Sequence, residues 1–249
     1  MKRVVPFAML LLAFAATAAP DVPRIAVIID DIGDRYVEGE AAVRLPGPVA
    51  LAFLPHTPHA RRLAELAFQA RKEVLLHLPL QAMEDKLPGP GAITLDTTEG
   101  EFRRLLEENL AAVPHAGGVN NHMGSLITRH PGHMTWLMQE LSRDGLFFVD
   151  SYTHPQSVAL QMARERGVPT ARRDVFLDHV AEPEAIAFQF RRLVERAKRN
   201  GQAIGIGHPY PETLAFLETA LPALEAEYGV RLVPVSELLE QPQPAVPAP

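Results

Sequence analysis

Residues 25–29 form an unbroken apolar run, mostly β-branched, that stops abruptly at Asp30-Asp31 and Gly33. A run with no polar face suits a strand buried on both sides, as in a parallel sheet covered by helices. Two adjacent carboxylates at the C-terminal end of such a strand repel each other and resist desolvation. A divalent cation makes both tolerable by supplying the opposite charge. A strand end followed by an Asp helix cap accounts for the pair equally well, and the stretch alone does not choose.

The rest of the chain repeats the theme. Predicted strands at 49–54, 73–78, 117–120, 146–149, 175–177, 203–206 and 231–235 alternate with helical stretches at 35–44, 59–71, 98–112, 134–143, 157–166, 184–200 and 213–227. Thr98 with Glu101 reads as a capping box that opens the third helix. Residues 79–96 are rich in Pro and Gly and lack periodicity, which marks a long loop of the kind that often carries function. About seven strand–helix alternations mean a parallel sheet with crossover helices, either a closed barrel or an open doubly wound sheet. No G-x-G-x-x-G follows the first strand, so a dinucleotide fold has no support. The number of units favours a deformed (β/α) barrel of the α/β class.

Composition narrows the chemistry. The chain has 249 residues and a net charge of -6, with no basic cluster, which argues against a nucleic-acid partner. It contains no Cys, so disulfides and thiolate metal sites are excluded and a metal must be held by His, Asp or Glu. Lys2 and Arg3, the apolar residues 4–16 and the Ala16-Thr17-Ala18 site read as a signal peptide over residues 1–18. The apolar run falls short of the roughly 20 residues that span a bilayer, with an uncleaved anchor as the alternative. The expectation is a periplasmic or secreted protein with no stable membrane anchor after cleavage. Residues 19–240 are expected to form one domain, and the Pro-rich residues 241–249 a disordered tail.

Asp30, Asp31, His77, His122, Asp150 and His208 each fall at the C-terminal end of a predicted strand. In a parallel barrel those ends open on one face, where active sites sit. His77 lies among Leu75, Leu76 and Leu78, and a core histidine satisfied by a backbone carbonyl is its bland alternative. Asp150 has a loop-capping alternative at Ser151. His56, His59, His115, His130, His133, His154 and His179 fall in loops or helix starts and read as ordinary surface residues.

Asp30-Asp31 after an apolar strand, LLHLPLQ around His77, NNHMGS around His122, FVDS around Asp150 and GIGHPYPET around His208 together resemble the divergent polysaccharide deacetylase family, distant relatives of NodB-like carbohydrate esterases. The resemblance runs from Arg24 to about Leu239. It implies a NodB-like deformed (β/α) barrel of about seven strands and a divalent metal, zinc by preference. It also implies that Asp30 is the general base, Asp31 and His77 are metal ligands, and His208 is the general acid. The sequence departs from the pattern of the related deacetylases: their usual second metal histidine, four residues after the first, is Gln81 here, and the arginine-proline motif of the third segment is replaced by NNHMGS. His122 is therefore expected to supply the missing ligand. Asn121 and backbone amides near Gly124 are expected to hold an oxyanion, Asp174 and Asp178 to orient a histidine from behind, and Ser125 and Asp150 to bind substrate or stand behind the site. The implied reaction is hydrolysis of N-acetyl groups on an amino-sugar polysaccharide or peptidoglycan fragment. The alternative is a non-catalytic glycan-binding or envelope interaction protein on the same barrel.

Overall fold

A computed structural model describes residues 22–241. The elements run β1 (Arg24–Ile32), α1 (Tyr36–Arg44), β2 (Ala50–Phe53), α2 (Ala60–Gln69), β3 (Glu73–Leu80), α3 (Glu99–Ala112), β4 (Gly118–Met123), α4 (Pro131–Asp144), β5 (Phe147–Asp150), α5 (Ala159–Glu165), β6 (Thr170–Arg172), β7 (Val175–Phe176), α6 (Pro183–Asn200), β8 (Gln202–Gly207), α7 (Pro211–Tyr228) and β9 (Arg231–Leu232). The expected signal peptide and most of the expected tail lie outside the described residues.

Helix boundaries follow local chemistry. Pro131, Pro183 and Pro211 open α4, α6 and α7, where a missing N–H costs nothing. Gly145, Gly201 and Gly229 close the same three helices in the left-handed conformation. Glu101 accepts from the Thr98 backbone N–H at 3.0 Å, completing the expected capping box on α3. No helix among the described residues is long and apolar enough to cross a membrane.

Every strand pairing in the sheet is parallel, and the order is β6-β5-β4-β3-β2-β1-β8-β7. Eight of the nine strands curl along this path into an incomplete barrel whose two ends, β6 and β7, do not pair with each other, and β9 pairs with β1. Thr170–Arg172 escapes the sequence reading because it holds no apolar run, only a short piece after Pro169. The expected last strand over 231–235 shortens to two residues because Pro234 cannot donate to a ladder. The chain continues instead as a 3-10 turn over Val235–Leu238.

Side-chain alternation divides the core. Ile25, Val27 and Ile29 of β1 pack outward under the helices, with Leu76, Leu78 and Val119. Ala26 and Ile28 face inward with Leu75, Val149, Ile204 and Ile206, and Val233, Val235 and Leu238 belong to this inner cluster. By the same parity Asp30, His77, Asn120 and His122 point into the barrel.

The alternation breaks at one place. Between Ile29 and Ile32 β1 advances three residues while its partner advances two, from Leu51 to Phe53. The extra residue is a β-bulge, and Asp31 within it has φ 56°. A regular strand would send Asp31 to the opposite face from Asp30. The bulge turns both carboxylates the same way, at a conformational cost that Asp tolerates better than most residues.

Candidate metal centre and active site

The bulge meets β3 and β4 at the rim. His77 and Asn120 are directly opposite across those strands, and His122 lies opposite Pro79, two residues further along. His122 Nδ1 is 2.9 Å from Asp31 Oδ1, His77 Nε2 is 3.1 Å from the same oxygen, and the two ring nitrogens are 3.2 Å apart. Three donor atoms thus form a near-equilateral triangle. Tetrahedral zinc with bonds of about 2.0–2.2 Å spaces its ligand atoms about 3.3 Å apart, so the donor set and its size both fit a metal ion. Asp31 Oδ1 is buried and makes no aligned hydrogen bond, as expected of an atom whose partner is a cation.

Charge points the same way. Burial opposes ionisation of Asp31, yet His122 and His77 outweigh it and hold its carboxyl far below the usual range. Burial likewise opposes the charge on His77, but Asp30 and Asp31 pull its pKa up to about 9. The two carboxylates demand a compensating positive charge, which a protonated His77 or a divalent cation can supply. Asp30 is 2% exposed. Burial pushes its carboxyl up, opposed by His77 and His208 and by a 2.8 Å hydrogen bond from Asn120 Nδ2.

His208 follows β8 and faces this cluster, its Nε2 3.8 Å from Asp31 Oδ2. Asp178 holds it from behind: Oδ1 is 2.9 Å from His208 Nδ1, and Oδ2 accepts from His208 N at 2.6 Å and Thr213 Oγ1 at 2.8 Å. Burial disfavours the imidazolium, but the Asp178 hydrogen bond and charge exceed that effect and raise the His208 pKa. The protonated form therefore persists to higher pH than for a free histidine, and is lost as pH rises through the raised value. Asp178→Asn should move the His208 midpoint to lower pH in an NMR titration. An unchanged midpoint would remove Asp178 as the cause.

The other expected site residues separate. Asp178 sits behind His208. Asp174 does not: it accepts from Ile204 N at 2.9 Å and pairs with Arg196 at 2.8 Å. Asp150 takes the loop-capping role, accepting from Tyr152 N and from Ser157 Oγ, each at 2.8 Å, because parity turns it away from the interior. Asn121 faces opposite to Asn120, and both ends of its amide are used: Nδ2 donates to Met123 O and Oδ1 accepts from Ser151 N. It is a structural tie and not an oxyanion donor. Ser125 Oγ accepts from Met83 N and donates to Glu84, fastening the long loop, and Gly124 O accepts from Thr128. Gln81 is turned into the same loop, where Oε1 accepts from Leu95 N at 2.9 Å. His133, expected at the surface, is buried and packs against Phe102 and Trp136. The sequence reading missed Asn120 and Ser151, which touch at 3.4 Å beside Asp30. Strand parity was the available signal for Asn120, since it stands two residues before His122 on the same face.

A cleft of about 370 Å³ opens beside His122, between Leu54–Pro58 and Leu87–Pro90, with Asp34 and His56 among its polar lining residues. His56 Nε2 is 3.0 Å from Asn109 Oδ1, and Asn109 Nδ2 donates to Gly91 O, so one buried amide ties both walls. Two larger grooves, of about 490 and 460 Å³, are lined mainly by helix residues and hold no such cluster.

The divergent polysaccharide deacetylase family matches residues 27–239. The chain is 36% identical over 242 residues to the Escherichia coli protein YibQ, covering 96% of this chain and 75% of YibQ. It is 35% identical over 198 residues to a Haemophilus influenzae protein, covering 80% of this chain and 71% of that one. Among solved structures it superposes on an Agrobacterium tumefaciens protein with a TM-score of 0.84 at 24% identity, covering 89% and 91% of the two chains. The catalytic domain of a peptidoglycan N-acetylglucosamine deacetylase from Eubacterium rectale gives 0.54 at 14% identity, covering 93% and 97%. A family 4 carbohydrate esterase from Streptomyces lividans gives 0.52 at 13%, covering 89% and 98%. At these identities the structural likeness is one of fold.

Proposed function

The chain belongs to the divergent polysaccharide deacetylase family, and we propose that it is a metal-dependent hydrolase that removes N-acetyl groups from an amino-sugar polysaccharide or peptidoglycan fragment. The observation that carries this reading is the Asp31, His77 and His122 triangle, flanked by a buried carboxylate on one side and a histidine backed by a carboxylate on the other. A divalent cation held there, zinc in this reading, would supply the Lewis acidity that polarises the amide carbonyl and acidifies water. Asp30 takes the proton from the attacking water, whose oxygen adds to the carbonyl carbon. His208, charged through Asp178, gives its Nε2 proton to the departing nitrogen as the C–N bond breaks. The products are acetate and the free amine. The cleft beside His122 offers room for the sugar next to the one being hydrolysed. Gln81 does not replace the usual second histidine in this scheme; His122 does, from the neighbouring strand.

The test is acetate release from N-acetylglucosamine oligomers and peptidoglycan fragments by zinc-loaded protein. No acetate, combined with tight glycan binding that Asp30→Asn leaves intact, would favour a binding protein instead. The reading also includes export to the periplasm through a cleaved signal peptide, supported by the charged start, apolar run and A-x-A site. Intact mass of the protein recovered from the periplasm should lack roughly the first 18 residues. A mass that includes Met1 would show that the segment is retained.

A further inference from the structure

Asn120 touches both halves of the site. It is 0% exposed. Its Oδ1 is 2.8 Å from His77 Nδ1, and its Nδ2 is 2.8 Å from Asp30 Oδ1. An ionised carboxylate can only accept a hydrogen bond, so the amide must turn its NH₂ toward Asp30. That leaves Asn120 Oδ1, an acceptor only, facing His77. The atom opposite it, His77 Nδ1, must then carry the proton. A neutral imidazole protonated on Nδ1 has its lone pair on Nε2, the atom that lies 3.1 Å from Asp31 Oδ1 in the metal triangle.

We propose that Asn120 is a positioning residue that couples the base to the metal centre, one amide fixing both the Asp30 carboxylate and the tautomer of His77 that presents Nε2 to the cation. Metal-bound histidines commonly donate their other N–H to a carboxylate or a backbone carbonyl. Here a side-chain amide takes that place, and its second end is committed to the group that would act as base. The ligand half of the coupling rests on the two contacts of Asn120 with Asp30 ionised; the base half rests on the deacetylase reading.

Three measurements separate the parts. Nitrogen NMR of the wild-type protein at a pH where His77 is neutral should show the tautomer protonated on Nδ1. The opposite tautomer would overturn the proposal without any variant. Asn120→Leu removes both contacts, and zinc affinity should fall by about 10–100-fold, the usual loss when such an outer partner of a metal ligand is removed. Asn120→Asp keeps an acceptor for His77 and loses the donor to Asp30, so it should bind zinc at least as tightly as wild type. Its turnover should nevertheless collapse, because two carboxylates in contact share a proton that the base must not carry. Weaker zinc binding in Asn120→Asp, or wild-type zinc binding in Asn120→Leu, would overturn the link to His77. Wild-type turnover in Asn120→Asp would overturn the link to Asp30. A wild type that releases no acetate while the zinc and NMR results hold would sink the deacetylase reading and leave the Asn120–His77 link standing.

Discussion

Replacing His122 with alanine should weaken zinc binding by more than about 100-fold, because loss of a direct ligand must exceed the roughly 10–100-fold loss seen when an outer partner is removed. The triangle of Asp31, His77 and His122 has sides of 2.9, 3.1 and 3.2 Å. Removing one corner leaves two protein ligands, short of the three that a catalytic zinc site keeps. His77→Ala should behave alike. The informative control is Gln81→Ala. Gln81 stands four residues after His77, but its side chain is spent on Leu95 N in the long loop. Its removal should leave zinc affinity unchanged. Calorimetry on the three variants reads this directly. Equal affinities in wild type and His122→Ala would strike His122 from the ligand set, and a large loss in Gln81→Ala would place the ligand just past β3.

The second large effect is on turnover. Asp30→Asn should retain zinc, because Asp30 is not a corner of the triangle, while the rate falls by about 10²–10⁴-fold, the usual contribution of a general base. Asparagine preserves the volume of a side chain that is 2% exposed, so packing is not the reason for the loss. His77 Nε2 lies 3.6 Å from Asp30 Oδ2, and removing that charge should also lower the pKa of His77, since the Asp30 charge, with Asp31, raises it. The His77 proton is then easier to displace, and zinc binding should not suffer. A variant that loses zinc and rate together would mean that Asp30 is a ligand and not the base.

The fold was legible because buried strands and amphipathic helices leave different periods, and because polar residues at strand ends break an otherwise apolar pattern. The seven-fold alternation led to a barrel, and the barrel led to one rim. Finer placement depended on single-residue parity, which a strand buried on both faces shows only relative to a residue already placed, as His122 places Asn120. Asn120 and Asn121 are adjacent and chemically identical, yet one reaches Asp30 and the other closes a loop. Asp174 and Asp178 are the same residue type four positions apart, and only the second meets His208. The hardest feature was the bulge at Asp31. Adjacent residues of a strand point to opposite faces, so a pair of aspartates facing one site requires a backbone irregularity whose only trace is the Asp-Asp pair itself. Gln81 illustrates the reverse error that a motif invites, since a position named by spacing from His77 is turned into the loop by the hydrogen bond to Leu95.

The most direct test measures zinc content and acetate release side by side in wild type and Asp30→Asn, on N-acetylglucosamine oligomers and peptidoglycan fragments. One zinc per chain is expected in both proteins, and acetate from the wild type alone. Zinc-loaded wild type that releases no acetate from any of these substrates, or an Asp30→Asn protein that releases it at the wild-type rate, would contradict that expectation.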